Sequence, residues 1–243
     1  MKKQDLGVAL YILAAFVMLI VPIPNTLLDI LLAFNMALAF TILFTTMFAK
    51  EVLDMSYYPT ILLFTTIFRI ALNVSSTRLI LSTGNPGNVV ATFGQFVGGG
   101  DMVIGIVVFI ILILVQFIVI NKGSERVAEV TARFTLDAMP GKQMAIDADL
   151  SSGLIDEATA RVRRSKIQRE ADFFGAMDGA TKFVKGDAIM SLVVTFINLV
   201  GGIVMGFINH VGSFQEIVQI YSTATVGDGL MSQIPALLIS VAT

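Results

Sequence analysis

Two arginines and two aspartates stand where charge is costly. Arg69 lies in the middle of the apolar stretch TTIFRIALNVSSTRLIL, and Arg78 lies nine residues further along it. Asp187 opens an apolar run in KFVKGDAIM, and Asp228 opens another in a GDG context. A charge at the centre of a bilayer costs at least about 2.5–3.5 kcal/mol on insertion scales, so such residues face a protein interior and commonly serve ions or protons. Arg69 has two open readings: a structural ion pair inside a helix bundle, or a place in an ion or substrate path. Arg78 sits about 2.5 turns beyond it on a different helix face, near the end of the stretch, where its side chain can snorkel. Asp187 also has two readings. It is either an N-cap on the positive end of a helix dipole, or a proton-accepting carboxylate whose proton affinity Lys182 and Lys185 tune. Asn73, Ser75, Ser76 and Thr77 add polar groups near Arg69, which points to an interior or inter-subunit surface rather than a lipid face.

Other chemistries lack their residues. The chain has no cysteine and one histidine, His210. That excludes disulfides and thiol catalysis, and argues against a His-based metal site or triad. No phosphate-binding loop, zinc-protease or nucleophile-elbow motif is present. DADLSSGLIDEA (147–158) resembles a calcium loop, but Gly153 falls one place late and Ala158 replaces the bidentate glutamate. Capping and turn formation is the better reading of those acids. We expect no enzyme activity, no metal and no cofactor. A net charge of −2 gives no reason to expect nucleic acid as a partner.

The elements that must position these charges are membrane spans. Of 243 residues, 56% are hydrophobic and only 14% charged, against about 25% charged in soluble domains; mean hydropathy is +0.84. A span needs about 20 apolar residues. The sequence predicts an all-α polytopic membrane protein with about six spans: Leu6–Ile23, Leu28–Phe48, Tyr58–Leu81, Met102–Ile120, Ala188–Ile208, and one that begins near Asp228 and is still apolar at Thr243. The first is too long for a signal-peptide core and reads as a retained span. The divisions are 1–121 (spans one to four), 122–186 (a loop subdomain) and 187–243 (spans five and six). The abrupt end leads us to expect an N-terminal piece of something longer.

Eleven of the 16 basic residues lie between Lys122 and Lys185, and none lies in 23–28, 82–101 or 209–227. By the positive-inside rule the N-terminus, the 49–57 loop and the 122–186 block are cytoplasmic, and the other connections face out. Within the block Ser124 is placed to N-cap a short helix bearing Val127, Val130 and Phe134 on one face. Pro140-Gly141 punctuates the chain, and Ile155–Phe174 reads as a second helix supported by the Glu157/Arg161 pair. Phe173, Phe174, Met177 and Phe183 bring apolar bulk back toward the membrane. A folded helical loop fits this better than a disordered one. In the fifth span, Gly202 and Gly206 form a G-x-x-x-G pair that favours close helix packing.

Long stretches carry a resemblance. TILLFTTIFRIALNVSSTRLIL, ATFGQFVGGG, QFIVINKGSERVAEVTARFTLDAMPGKQMAIDADL, GAMDGATKFVKGDAI and VGDGLMSQIPALLIS resemble the FlhA/SctV (FHIPEP) family, export-gate proteins of bacterial flagella and type III secretion systems. LNVSSTR is closer to flagellar members than to injectisome ones. The resemblance implies an inner-membrane subunit at the flagellar basal body that couples proton-motive force to protein export. It implies eight transmembrane helices and a cytoplasmic domain forming a ring of nine, with further export-gate membrane proteins, an export ATPase complex, chaperones and flagellar substrates as partners. It also implies roles for particular charges: Arg78, Asp178, Lys182, Asp187 and Asp228 in or near proton coupling, and Arg126, Arg133 and Asp137 in coupling by the cytoplasmic loop. The sequence stops within the sixth span of this pattern.

Two rival classes remain. A solute or ion transporter with a midplane site predicts inverted repeats and broken helices in both halves, and no convincing repeat is found. A purely structural scaffold predicts that neutralising Asp187 leaves secretion intact.

Overall fold

A computed structural model describes residues 3–99, 101–116, 118 and 122–243, with side chains at 3–5, 102, 124 and 125 not described. Among these residues every regular element is a helix: α1 (Lys3–Ile20), α2 (Asn25–Phe48), α3 (Tyr58–Thr83), α4 (Asn88–Gly98), α5 (Met102–Val115), α6 (Lys122–Asp137), α7 (Met139–Ser151), α8 (Glu157–Ile208) and α9 (Phe214–Ala242). A 3-10 turn, Val52–Met55, joins α2 to α3.

Four helices are long and apolar enough to cross a membrane: α2, α3, α8 and α9. The bent pair α4–α5 makes a fifth if taken as one span, and the apolar part of α1, Leu6–Ile20, is shorter. The end of the predicted fourth span at Ile120, the 121/122 boundary and the Ser124 side chain lie outside the described residues; the backbone at Ser124 is already inside α6 rather than at its start.

α9 is the central helix. Its most apolar window is 78% buried, against 56% for α3 and 22% for α8. One apolar cluster joins α2, α3, α8 and α9 through Ile42, Leu62, Val184 and Ile239. A second joins α2, α3, α4 and α9 through Leu32, Leu72, Val90 and Met231. Lipid tails are as apolar as leucine, so membrane helices associate through close packing at small residues. Here a Cβ on Gly202 or Gly206 would run into Tyr221, so α8 rests directly on that α9 ring. A Cβ on Gly94 would strike the Thr223 carbonyl, and one on Gly227 the Val90 carbonyl, so α4 and α9 cross backbone to backbone. The outer faces stay apolar and exposed, as at Ile104, Val107 and Ile111 of α5.

Two expectations are corrected, and the 186/187 division falls inside a helix. The 82–101 connection contains α4, which meets α5 at 99°. The 11 residues of α4 are too few to read as a span, and the helix is capped from outside: Asn88 N and Val89 N each donate to the Asp29 carboxylate of α2 at 3.0 Å. The turn at Gly87, φ +94, has no room for a Cβ beside Asp29. The sixth span begins at Phe214, not near Asp228, because the capping box Ser213/Glu216 starts a helix whose first turns are mostly exposed and whose Tyr221–Asp228 stretch is polar yet mostly buried. Finally, α8 is one helix of 52 residues that runs through the expected 186/187 boundary. No proline interrupts it, and hydrogen bonding along a helix is indifferent to where the membrane starts.

Within 122–186, α6 and α7 pack on the first half of α8, and Met139, Ile146, Ala160 and Ile167 form a small core between α7 and α8. Val127 and Phe134 stay exposed on α6, so they do not face this core. Pro140 sits in the first turn of α7, where its missing N–H costs nothing. The acids of the calcium-like stretch are engaged otherwise: Asp147 with Arg164 at 2.5 Å, Asp149 with Arg163 at 3.2 Å, and Asp156 as N-cap of α8. Among the described residues no acid or His cluster could hold a metal.

Two predictions follow from the caps. Asp29→Ala should cost about 1 kcal/mol, seen as a lowered melting temperature with proteolysis gained first at α4. The Asp156 carboxyl is held below its ordinary pKa by the hydrogen bonds it accepts at Thr159. A depressed folded-state pKa contributes stability that is full above the unfolded value and lost as pH falls through the folded one. Protection against amide exchange in the first turn of α8, taken relative to the intrinsic rate at each pH, should therefore fall on acidification below about pH 4, and Asp156→Asn should flatten that dependence.

Candidate functional site: a buried polar column

In a helix, residues three, four and seven apart share a face. α3 places Arg69, Asn73 and Ser76 on one stripe. α8 offers Asp187, Ser191 and Asn198, and α9 offers Thr225, Asp228 and Ser232. All nine are buried. The three stripes meet inside the bundle as stacked layers.

The layer nearest the charged loop is an ion pair. Arg69 Nη2 lies 2.5 Å from Asp187 Oδ2, and both residues are 1% exposed. It is a charge contact rather than an aligned hydrogen bond, since no guanidinium nitrogen of Arg69 and neither oxygen of Asp187 has a well-oriented hydrogen-bond partner. In the next layer Ser232 Oγ donates to Asn73 Oδ1 at 2.6 Å. The third holds Asp228: Ser76 Oγ donates to its Oδ1, and Asn198 Nδ2 donates to its Oδ2 at 2.8 Å. Seven residues separate Arg69 from Ser76, so the two carboxylates sit about 10 Å apart along the helix axis. Asn73 Nδ2, Thr77 Oγ1 and Asn198 Oδ1 are buried without a protein partner. An unsatisfied buried polar group costs about 1–3 kcal/mol, so this interior is polar beyond what packing requires.

Neither aspartate is where the sequence placed it. Asp187 is not the N-cap of a span; it lies inside α8, 30 residues after its first residue. Asp228 likewise lies inside α9 rather than at its start. Both looked like span ends because the apolar runs begin there, whereas the helices begin earlier. Lys182 pairs with Asp178 at 2.7 Å on the exposed side of α8, so the charge set against Asp187 is that of Arg69. Arg78 is outside the column: it donates to the Leu19 and Ile20 carbonyls at 2.9 and 2.7 Å, closing the last turn of α1. On α6, Arg126 pairs with Glu129 at 3.1 Å and Arg133 with Asp137 at 3.8 Å, all exposed.

Asn198 and Ser232 escaped the sequence reading. Each carries a weak signal: a lone amide in an otherwise apolar span, three turns from Asp187, and a hydroxyl one turn from Asp228.

A helical bundle with a charged and hydrogen-bonded interior, an apolar exterior and one long charged loop defines an all-α polytopic membrane protein with a buried polar core. The chain belongs to the FHIPEP family, which it matches over residues 15–243. It is 56% identical, over its whole length, to the flagellar biosynthesis protein FlhA of Bacillus subtilis, covering 36% of that protein. It is 52% identical to the FlhA of Salmonella typhimurium over 98% of the chain and 35% of the relative. It is 50% identical to the low calcium response locus protein D of Yersinia pestis over 99% of the chain and 34% of the relative. The chain thus spans about a third of the length of these relatives. No solved structure matches it.

Proposed function

We propose that this chain is the membrane part of a flagellar export-gate subunit in the bacterial inner membrane, and that the polar column couples proton entry to protein export. The N-terminus and the 122–186 segment face the cytoplasm in this reading, by the distribution of basic residues. The observation that carries it is the stacking of Asp228 and Asp187 in one buried column with Arg69 as the counter-charge. A proton arriving from outside meets Asp228 first. Passed inward, it neutralises Asp187 and removes the attraction that holds α3 against α8. α8 is continuous for 52 residues, about 78 Å of helix, and α6 and α7 rest on its far half. A shift at Asp187 is thereby delivered to the cytoplasmic loop by a rigid rod. One charge crossing about 100 mV releases about 2.3 kcal/mol, a factor of about 50 in a two-state equilibrium. No group here is assigned to covalent catalysis or to a cofactor.

By family, the partners are further copies in a ring of nine, other export-gate membrane proteins, and the ATPase complex, chaperones and substrates. The Yersinia relative favours a second reading, a virulence-type secretion gate; restoration of motility or of effector secretion in the respective deletion strains separates the two.

The test is export in cells whose only copy carries Asp187→Asn, with membrane level and assembly followed by blotting and crosslinking. Export is expected to be lost with assembly intact. Near-normal export would leave the protein as a scaffold.

A further inference from the structure

A cavity of about 360 Å³ opens at the end of the bundle opposite the charged loop, where α3, α4 and α5 meet the start of α9. Its wall includes Asn85, Gln95, Asp101, Gln219 and Thr223, and no lysine or arginine. Two breaks in helical structure border it: the α3–α4 turn through Gly84, Asn85 and Pro86, and the α4–α5 corner, where Gly98 ends α4 and Asp101 caps α5. Non-helical backbone at membrane depth persists only where protein buries it or where it lines a water-filled cavity. Gly99 stands at that corner with φ +54, and α4 and α5 lie 99° apart across it. The sharp bend keeps the cavity open beside α9.

The cavity points at the column but stops short of it. Ala224, in its wall, lies one turn before Asp228 on α9. Gly84, also in its wall, lies two turns beyond Ser76 on α3, with Ile80 between. Ile80, Ile217, Tyr221 and Ala224 pack together with exposures of 0 to 3%. One apolar layer, about one helical turn or 5 Å thick, therefore separates the cavity from the Ser76–Asp228–Asn198 layer.

We propose that this cavity is the aqueous entrance through which protons reach Asp228, and that the Ile80–Tyr221–Ala224 layer is the closed gate on that route. The proposal rests on the proton-coupling reading above. The wall chemistry fits the cargo: hydrogen-bonding side chains support a file of water, the carboxylate of Asp101 favours cations, and no fixed positive charge repels them.

Residues 1–243 contain no cysteine, so a direct test in the full gene product in its own membrane needs only that any cysteine beyond them is first replaced by serine. Single cysteines are placed at Gln95, Gln219 and Thr223 in the cavity, at Ile80 in the gate, at Val211 on the same end outside the cavity, and at Ser151 in the charged loop. A membrane-impermeant cationic thiosulfonate is added outside. We expect labelling at Gln95→Cys, Gln219→Cys, Thr223→Cys and Val211→Cys, none at Ser151→Cys, and protection of Ile80→Cys. Labelled Gln219→Cys and Thr223→Cys should lose export, whereas labelled Val211→Cys should keep it. Cavity cysteines that stay unreactive from outside, or that react with export unchanged, would overturn the entrance. An unprotected Ile80→Cys would overturn the gate. Asp228→Asn run in parallel separates the two levels: normal export there removes the proton reading itself, whereas lost export with labelled cavity mutants still active removes only the entrance.

Discussion

Arg69→Met alone should destabilise the protein by about 3–5 kcal/mol, because it leaves Asp187 buried and uncompensated. Asp187→Leu alone should do the same to Arg69. The double variant Arg69→Met/Asp187→Leu should recover most of that loss, since a well-packed apolar pair of similar volume is often as stable as a buried ion pair. The contact has poor hydrogen-bond alignment, which lowers the native pair's own contribution and favours recovery. Stability and export should then part company. The double variant melts near the wild-type temperature, reaches the membrane at normal level and exports nothing. A double variant that is both stable and active would show the pair to be structural only. A thermal-shift assay on detergent-solubilised protein and a secretion assay on the same strains decide between these results.

Gly227→Val is expected to be the most damaging single change outside the column. Its side chain would start against the Val90 carbonyl and beside the Gly94 amide, both backbone groups that cannot rotate away. Overpacking of this kind costs about 1–3 kcal/mol and sometimes more. Here the helices must separate at the crossing that holds α4, so low membrane levels and protease sensitivity within 84–101 are expected. Gly175→Ala is the matched control. It lies in α8 with nothing near its Cβ position, and alanine should stabilise the helix by about 0.5–1 kcal/mol. If Gly227→Val accumulates and resists protease like wild type, the tight α4–α9 crossing is wrong.

Much of the architecture was legible before any coordinate. Composition and the length of uncharged runs depend on solvent preference alone, so they disclosed a helical membrane protein, the positions of α2, α3 and the apolar half of α8, and the one large charged segment. The cost of burying charge singled out Arg69, Asp187 and Asp228 by the same reasoning. The G-x-x-x-G pair predicted a close contact, and α8 meets Tyr221 there. What failed were the edges. Hydropathy marks where a helix becomes apolar, not where its hydrogen bonding begins, so α8 and α9 both start well before the aspartates that seemed to open them.

The sequence by itself determined which residues must be hidden from lipid and which runs are long enough to cross. It could not pair them. Arg69 finds Asp187 at a distance of 118 residues and Asp228 finds Ser76 at 152, while Asp29 caps a helix 59 residues away. Each meeting depends on how helices rotate and cross. That is decided by the fit of small residues such as Gly94, Gly202 and Gly227 against particular backbones and rings, a relation between elements that no periodicity within one element contains.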